Sequence, residues 1–241
     1  MLHTIETYLL LFLTYAFLGW CMEVICKLIQ YKRFINRGFL IGPYCPIYGW
    51  GALAITILLK RYTDDIVALF VMAVVICSFI EYFTSYFMEK KYHARWWDYS
   101  DKKFNINGRI CLETMIPFGI LGVVIMYVTN PFFIKIYNSI PETILHIISV
   151  ILFVGFVIDN IISSKVISSI HLEEEKIADN TEEITTEISN KLKQLIKEKS
   201  YLHKRLVNAY PNFKLEQLEK IKARLQKRRK KYDKKQKRNK I

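Results

Sequence analysis

The chain has 241 residues, of which 52% are hydrophobic, and its formal net charge is +13. The hydrophobic residues form long runs in the first part of the chain, whereas the excess of Lys and Arg lies mostly towards the C-terminus. This division argues against two soluble domains. It predicts a membrane domain, residues 1–168, followed by a charged cytoplasmic tail, residues 169–241.

Five apolar runs are long enough to cross a bilayer, since about 20 apolar residues span its hydrocarbon core. In chain order they cover residues 8–29, 40–59, 66–88, 113–133 and 143–164. They predict an all-α membrane helix bundle of about five transmembrane helices. The runs are too long and too apolar to be the alternating strands of a membrane barrel, which have about 10 residues each.

The links between these runs alternate in charge. The links after the first and third runs are rich in Lys and Arg, whereas those after the second and fourth carry only Lys60, Arg61 and Lys135. Because positively charged loops tend to stay in the cytoplasm, this pattern predicts an N-terminus outside the cell and a cytoplasmic C-terminus.

Residues 31–50, which join the first two runs, predict a broken or re-entrant start of the second span. Two prolines and three glycines interrupt an apolar stretch there, so that no regular helix can run through it. Non-helical backbone survives at membrane depth only where protein or water satisfies its hydrogen bonds. We therefore expect a cavity at this end of the bundle.

Carboxylates fall in the same half of three predicted spans: Glu23, Glu81 and Asp159. A carboxylate at mid-membrane costs about 3 kcal/mol, so a set at one level predicts a polar cavity open to the cytoplasm. Arg37 and Arg109 flank this mouth, and we predict that one of them pairs with Glu23 or Glu81. The alternative interpretation is that such pairs only tie the bundle together.

The long loop of residues 90–111 carries a further group of candidates. These residues are Arg95, Trp97, Asp98 and Arg109. Trp96 and Trp97 are typical of the headgroup layer of a bilayer. A sharper hypothesis is a site for a phosphate-bearing or lipid headgroup substrate, because arginine forks bind anions and tryptophan faces bind cations.

The tail contains two amphipathic segments. Apolar residues recur at helical intervals from Ile177 to Leu206, residues 208–212 break the pattern, and residues 215–225 resume it. This pattern predicts a helical hairpin or coiled coil through which the protein could self-associate. The basic residues 227–241 suit anionic lipid, with nucleic acid or a solvated tail as alternatives.

The sequence predicts no cofactor and no metal site. Its histidines and cysteines are scattered, without the spacing of zinc ligands. Gly49–Ala54 matches the dinucleotide pattern G-x-G-x-x-A, but it lies in an apolar run with no preceding strand, so we predict close helix packing there. The chain also lacks the P-loop motif, which excludes ATP hydrolysis by that route.

Four segments together are similar to a known family. They are Phe17-Leu-Gly-Trp-Cys-Met-Glu23, the Pro/Gly-rich residues 36–49, Glu81-Tyr82, and residues 95–109 with Arg-Trp-Trp-Asp-Tyr-Ser and Phe-Asn-Ile-Asn-Gly-Arg. They resemble the bacterial CmpB-like ABC-transporter permease family (ABC-transporter type IV) over residues 8–125. The resemblance implies a multi-pass protein of the cell membrane that takes part in transport, with a separate ATPase as its partner.

The leading functional prediction is therefore a transport component rather than an enzyme. Its inner polar site would contain Glu23, Glu81, Arg37 and Arg109. Two alternatives stay open: an intramembrane enzyme acting on a lipid-linked or phosphorylated substrate, and a non-catalytic membrane scaffold. A co-purified ATPase would favour transport, a bound modified lipid would favour the enzyme, and dispensable carboxylates would favour the scaffold.

Overall fold

The structure is a computed structural model that describes residues 2–32, 34–36, 38–92, 94–179, 201–202, 205 and 214–215. Its helices are α1 Leu2–Tyr31, α2 Pro46–Leu58, α3 Ile66–Tyr92, α4 Leu112–Val124, α5 Asn130–Ser139 and α6 Glu142–Asp179. A short 3-10 turn, Lys60–Tyr62, follows α2, and a π-helical turn, Ile125–Thr129, joins α4 to α5. The predicted all-α helix bundle is confirmed.

Within the described residues, four helical stretches are long and apolar enough to cross a membrane: Leu2–Tyr31, Ile66–Tyr92, Leu112–Ser139 and Glu142–Ser168. The predicted second span, residues 40–59, differs. Its helix α2 has 13 residues, and a helix of that length reaches about 20 Å, less than a hydrocarbon core of about 30 Å. In the part of the chain that the structure describes, four helices instead of five therefore have spanning length, because the prolines and glycines delay the start of α2.

The predicted broken start of the second run is confirmed. Residues 38–45 are non-helical, and α2 begins only at Pro46. A proline is tolerated at the first helical position, where its missing N–H would have no partner in the helix. Gly38 adopts a φ of +137°, which residues with side chains rarely adopt.

Asp159 of α6 holds this non-helical segment in place. Its carboxylate accepts hydrogen bonds from the backbone N–H groups of Ile41 and Gly42 at 2.9 and 2.7 Å. The hydroxyls of Tyr44 and Ser163 donate to the same carboxylate at 2.8 and 2.7 Å. Asp159 thus satisfies backbone groups that have no helical partner, as burial in an apolar environment requires.

The close packing predicted at Gly49 is also confirmed. A Cβ atom on Gly49 would lie 2.5 Å from the backbone oxygen of Phe12, so α1 and α2 meet without room for a side chain. Two clusters of buried apolar residues lie in the same bundle. They are Leu10, Leu11, Tyr15, Ala52, Tyr137 and Leu145, and Ile55, Leu59, Leu69, Ala73 and Cys77.

The chain forms two compact units, Met1–Phe87 with Trp97–Ser164 and Met88–Trp96 with Lys165–Ile241. In the second unit, a two-residue strand Ala94–Arg95 pairs antiparallel with Lys214–Leu215. Leu215, predicted as the start of a helix, therefore lies in this short strand. The rest of the predicted hairpin and the basic residues 227–241 lie almost wholly outside the described residues. The domain boundary at residue 168 stays a prediction.

Orientation in the membrane stays a prediction that labelling can test. Lys135 of α5 and Lys103 of the α3–α4 loop are both exposed. In a background with Cys21 and Cys26 replaced by Ser, we expect Lys135→Cys to react with an impermeant thiol reagent added to intact cells. Lys103→Cys should react only after the membrane is opened. The reverse pattern would contradict the charge argument for a cytoplasmic C-terminus.

Candidate functional site

One face of α3 is polar although the helix is apolar overall. Ser78, Glu81 and Ser85 follow one another at intervals of three and four residues, which places them on the same face. All three side chains are buried, and Glu81 is only 5% exposed. Ionisable residues inside a spanning helix are expensive and mark candidate functional sites.

The Glu81 carboxylate accepts hydrogen bonds from two neutral hydroxyls. Tyr99 Oη donates to Oε1 at 3.4 Å, and Thr114 Oγ1 donates to Oε2 at 3.2 Å. Tyr99 lies in the loop between α3 and α4. Burial raises the pKa of its phenol well above the usual range, and the negative charges of Glu81 and Glu23 raise it further. Tyr99 therefore keeps its proton and acts as the donor.

Glu23 of α1 belongs to the same site. Tyr48 of α2 donates a hydrogen bond from Oη to Glu23 Oε1 at 2.8 Å. The Tyr48 ring lies against Gly19, where any side chain would displace it. Glu23 is close enough to interact electrostatically with both Glu81 and Tyr99. We call the following residues the inner site: Glu23, Tyr48, Glu81, Tyr99 and Thr114.

Arg109, a residue of the α3–α4 loop, contacts the same face of α3 at Ser85, about one turn beyond Glu81. It is buried, and its Nη1 donates to Ser85 Oγ at 3.1 Å. The guanidinium carbon lies 5.8 Å and 5.5 Å from the ring centroids of Tyr82 and Tyr86. A guanidinium at such distances is attracted by the faces of aromatic rings. The contacts of Arg109 with α3 therefore extend the inner site along this helix.

The predicted pairing between arginines and carboxylates stays a prediction. The structure brings Glu23, Glu81 and Arg109 into one region of the first compact unit, with hydroxyls as the described partners of both carboxylates. Arg37 lies outside the described residues.

The α3–α4 loop is shaped by two of its predicted site residues. Trp97 Nε1 donates to the backbone oxygen of Arg109 at 3.1 Å, and Asp98 accepts a hydrogen bond from the Ser100 N–H at 3.0 Å. Asn107 and Gly108 have φ values of +53° and +66° and form a turn just before Arg109. Trp97 and Asp98 thus support the loop that carries Tyr99 and Arg109.

Arg95 belongs to the second compact unit. Its Nε donates to Glu89 Oε2 at 3.2 Å within that unit. Of the four predicted loop residues, Arg95 thus belongs to the second compact unit. The other three, Trp97, Asp98 and Arg109, belong to the first.

The family model described as "Putative ABC-transporter type IV" matches residues 10–164. The chain belongs to this family. The region matched to the ABC-transporter type IV model contains the whole inner site, together with Arg109 and Asp159. No curated protein and no solved structure matches the chain. The family and the four spanning helices together identify a multi-pass membrane protein of an ABC-transporter-type family.

Glu6 and His146 form a second polar pair that sequence analysis missed. Glu6 lies before the matched residues 10–164. His146 Nδ1 of α6 lies 2.5 Å from Glu6 Oε1. The Glu6 side chain is 7% exposed, whereas that of His146 is 52% exposed. The signal that selected Glu23 was a carboxylate inside a predicted run, and Glu6 lies just before the first run, residues 8–29. Its partner could not be found because it lies 140 residues away.

A third polar group lies near the middle of α1. Tyr15 Oη is 2.7 Å from Thr129 Oγ1 and donates to Asn130 Oδ1 at 2.7 Å. Asn130 Nδ2 donates to Thr56 Oγ1 at 2.8 Å. These neutral groups satisfy one another, so buried polar atoms here carry little penalty.

The chemistry available at the inner site is that of carboxylates, phenols and hydroxyls. Among the described residues, no group of three or more His, Cys, Asp or Glu is placed to hold a metal ion. Carboxylate oxygens accept hydrogen bonds and attract cations, and the hydroxyls can donate or accept. The site therefore suits a cationic group or a ligand that donates hydrogen bonds.

Proposed function

We propose that the protein is the membrane-spanning component of a transporter and that the inner site contacts the transported substrate. Family membership supports the first part of the proposal. The observation that carries the second part is Glu81, a carboxylate 5% exposed within a spanning helix and bonded to Tyr99 and Thr114. On the proposed orientation, the site faces the cytoplasm.

Stability alone gives no reason to keep Glu81. A buried ionised group costs several kcal/mol unless it is well paired, and apolar replacements of buried ionic groups are often neutral or stabilising by about 1–4 kcal/mol. Asp159 has a structural explanation, since it satisfies two backbone N–H groups. Among the described residues, Glu81 accepts hydrogen bonds only from side-chain hydroxyls, so a functional role is the better explanation for its presence.

The energy for transport would come from a separate ATPase subunit, since the chain lacks a P-loop. Mild detergent extraction of the tagged protein from its own membrane should retain this subunit. An ATPase enriched with the wild-type protein, and absent from a purification of an unrelated multi-pass protein, would support this part of the proposal. Self-association through the tail, or capture of anionic lipid by residues 227–241, would be detected in the same purification by native mass spectrometry.

Glu23→Gln and Glu81→Gln test the role of the inner site. Each change keeps nearly the same volume and still allows hydrogen bonding, but it removes the charge and the ability to exchange a proton. We expect both variants to insert at normal levels and to fail to complement a deletion strain. Full complementation by the double variant would favour the scaffold alternative.

Glu113→Gln is the matched control. Glu113 lies in the first turn of α4, is exposed, and pairs with Lys102 at 2.8 Å. Exposed ion pairs contribute about 0–1 kcal/mol, so this variant should complement fully. Deletion of residues 227–241 should have only a mild effect. If the inner variants are poorly expressed, complementation at matched protein levels separates assembly from function.

The second candidate function is an intramembrane enzyme acting on a lipid-linked or phosphorylated substrate. The buried guanidinium of Arg109, which donates a hydrogen bond to Ser85, favours this candidate because arginine suits phosphate groups. Glu23 or Glu81 would then act as the base. A chemically modified lipid retained by the wild-type protein and lost from Arg109→Gln would support it.

A further inference from the structure

Glu81 is a buried carboxylate that forms no ion pair with Lys, Arg or His among the described residues. Its hydrogen bonds from Tyr99 and Thr114 are long, at 3.4 and 3.2 Å, and both donors are neutral. Charge-assisted hydrogen bonds are usually about 2.5–2.9 Å long. The site therefore provides weak compensation for a negative charge on Glu81.

Asp159, in the same bundle, is a carboxylate whose negative charge is well compensated by hydrogen bonds. It accepts four hydrogen bonds of 2.7–2.9 Å, two of them from backbone N–H groups. Several such bonds favour the charged form of a carboxylate. Glu81 has half as many donors at greater distances, and it also faces the negative charge of Glu23. The hydrogen bonds of Asp159 therefore stabilise a charged carboxylate, whereas those of Glu81 stabilise one only weakly.

Ser78 provides a second, independent observation. Its Oγ is buried and has no hydrogen-bond partner among the residues that the structure describes, and Ser78 lies on the Glu81 face of α3, three residues earlier. A buried polar atom without a partner calls for an explanation. A carboxylate can only accept hydrogen bonds, whereas a protonated carboxyl group can donate one. Ser78 Oγ therefore donates no hydrogen bond to Glu81 and does not compensate a negative charge there.

We propose that Glu81 binds and releases a proton as part of the transport cycle. A hydronium ion transfers its proton to a carboxylate oxygen: one O–H bond of the hydronium breaks, an O–H bond forms on Glu81, the charge of the carboxyl group changes from −1 to 0, and a water molecule remains. Release to water reverses this step. The proposal rests on the proposed function, because it makes the proton a species that the inner site handles together with its substrate.

The other titratable groups around Glu81 fit this step. Those facing it are Glu23 from α1, Cys77 one turn earlier on α3, and Tyr99 from the loop. Tyr48 contacts Glu23, and Cys111 at the start of α4 lies near Tyr99. Arg109 is held one turn further along α3 by Ser85. Protonation of Glu81 removes its repulsion with Glu23, and the two long hydrogen bonds of Glu81 oppose this step only weakly.

Infrared titration of the purified full chain in lipid nanodiscs tests the proposal directly. The wild-type protein should show a carboxylic-acid C=O band that appears as the pH falls and shifts on exchange into D₂O. Glu81→Gln should lack this band, whereas Glu113→Gln should retain it. Glu81→Asp, which keeps a carboxyl group, should restore a titrating band and thereby exclude misfolding as the cause of its loss.

The outcomes separate this inference from the proposed function. A wild-type spectrum with the same titrating bands as Glu81→Gln would overturn proton binding, even if Glu81→Gln fails to complement. If the band is present but Glu81→Gln complements fully, the role of the inner site in transport is overturned, and with it the coupling of the proton to transport. Loss of both the band and complementation in Glu81→Gln, with both retained in Glu113→Gln, is the expected result.

Discussion

Gly49→Ala is expected to prevent normal assembly of the bundle. The new Cβ would lie 2.5 Å from the Phe12 backbone oxygen and 2.7 Å from its ring. A backbone atom inside a helix cannot move aside as the end of a flexible side chain can, so α1 and α2 would have to separate. Overpacking typically costs about 1–3 kcal/mol, and a clash with backbone lies at the upper end of that range or beyond it.

The measurement is the yield of monodisperse protein in detergent, followed by its thermal unfolding temperature. Gly155→Ala is the matched control, because no atom lies within 4 Å of a Cβ at that position of α6. Alanine is favoured over glycine inside a helix by about 1 kcal/mol, so the control should be neutral or slightly more stable. Equal unfolding temperatures for the two variants would show that α1 and α2 do not meet as described.

The second large effect is expected for Asp159→Ala. This change removes the acceptor of the Ile41 and Gly42 N–H groups and of the Tyr44 and Ser163 hydroxyls. A buried donor left without a partner costs about 1–3 kcal/mol, and two backbone donors are affected here. We expect a lower unfolding temperature and faster amide hydrogen exchange at residues 41 and 42.

Asp159→Asn is the graded comparison. Its side-chain oxygen can still accept some of the four hydrogen bonds, although without a negative charge, so its unfolding temperature should lie between those of the wild type and Asp159→Ala. Exchange at residues 41 and 42 that is unchanged in Asp159→Ala would show that the non-helical segment is held by other contacts.

The sequence predicted the helical bundle because spanning helices have a strong and local signal, an unbroken apolar run. The second run shows the limit of that signal. Hydropathy extends from residue 40 to residue 59, but Gly38 has a non-helical φ and Pro43 interrupts any helix that would run through it, so α2 starts only at Pro46. The prolines and glycines predicted the break, whereas hydropathy alone overestimated the helix.

The inner site was predictable only in part. Glu23 and Glu81 were predicted because a carboxylate in an apolar helix stands out, whereas a tyrosine or threonine there does not. The partners Tyr48, Tyr99 and Thr114 are 25, 18 and 33 residues from the carboxylates they contact. Such contacts depend on how helices and loop pack, which a single sequence does not encode in any local pattern.

The charge argument also led towards arginine partners, since an ion pair is the usual way to bury a carboxylate. The structure places hydroxyls on Glu81 and two aromatic rings near Arg109, and the pairing of arginines with carboxylates stays a prediction. The Asn107-Gly108 dipeptide is a strong turn signal, and the structure has a turn there, just before Arg109. It could not predict which side chains Arg109 would contact there.

The π-helical turn Ile125–Thr129 allows one continuous helix to pack against two neighbouring helices, α3 and α1. Before the turn, Gly119 and Gly122 pack against α3; after it, Tyr137 bonds to Thr14 of α1. The i to i+5 hydrogen bond from the Asn130 N–H to the Ile125 oxygen accommodates one extra residue. Everything beyond it is turned by about 100° relative to an unbroken α-helix. Deleting a single residue from this turn would therefore straighten the helix, yet it would point the α1-binding face away from its partner.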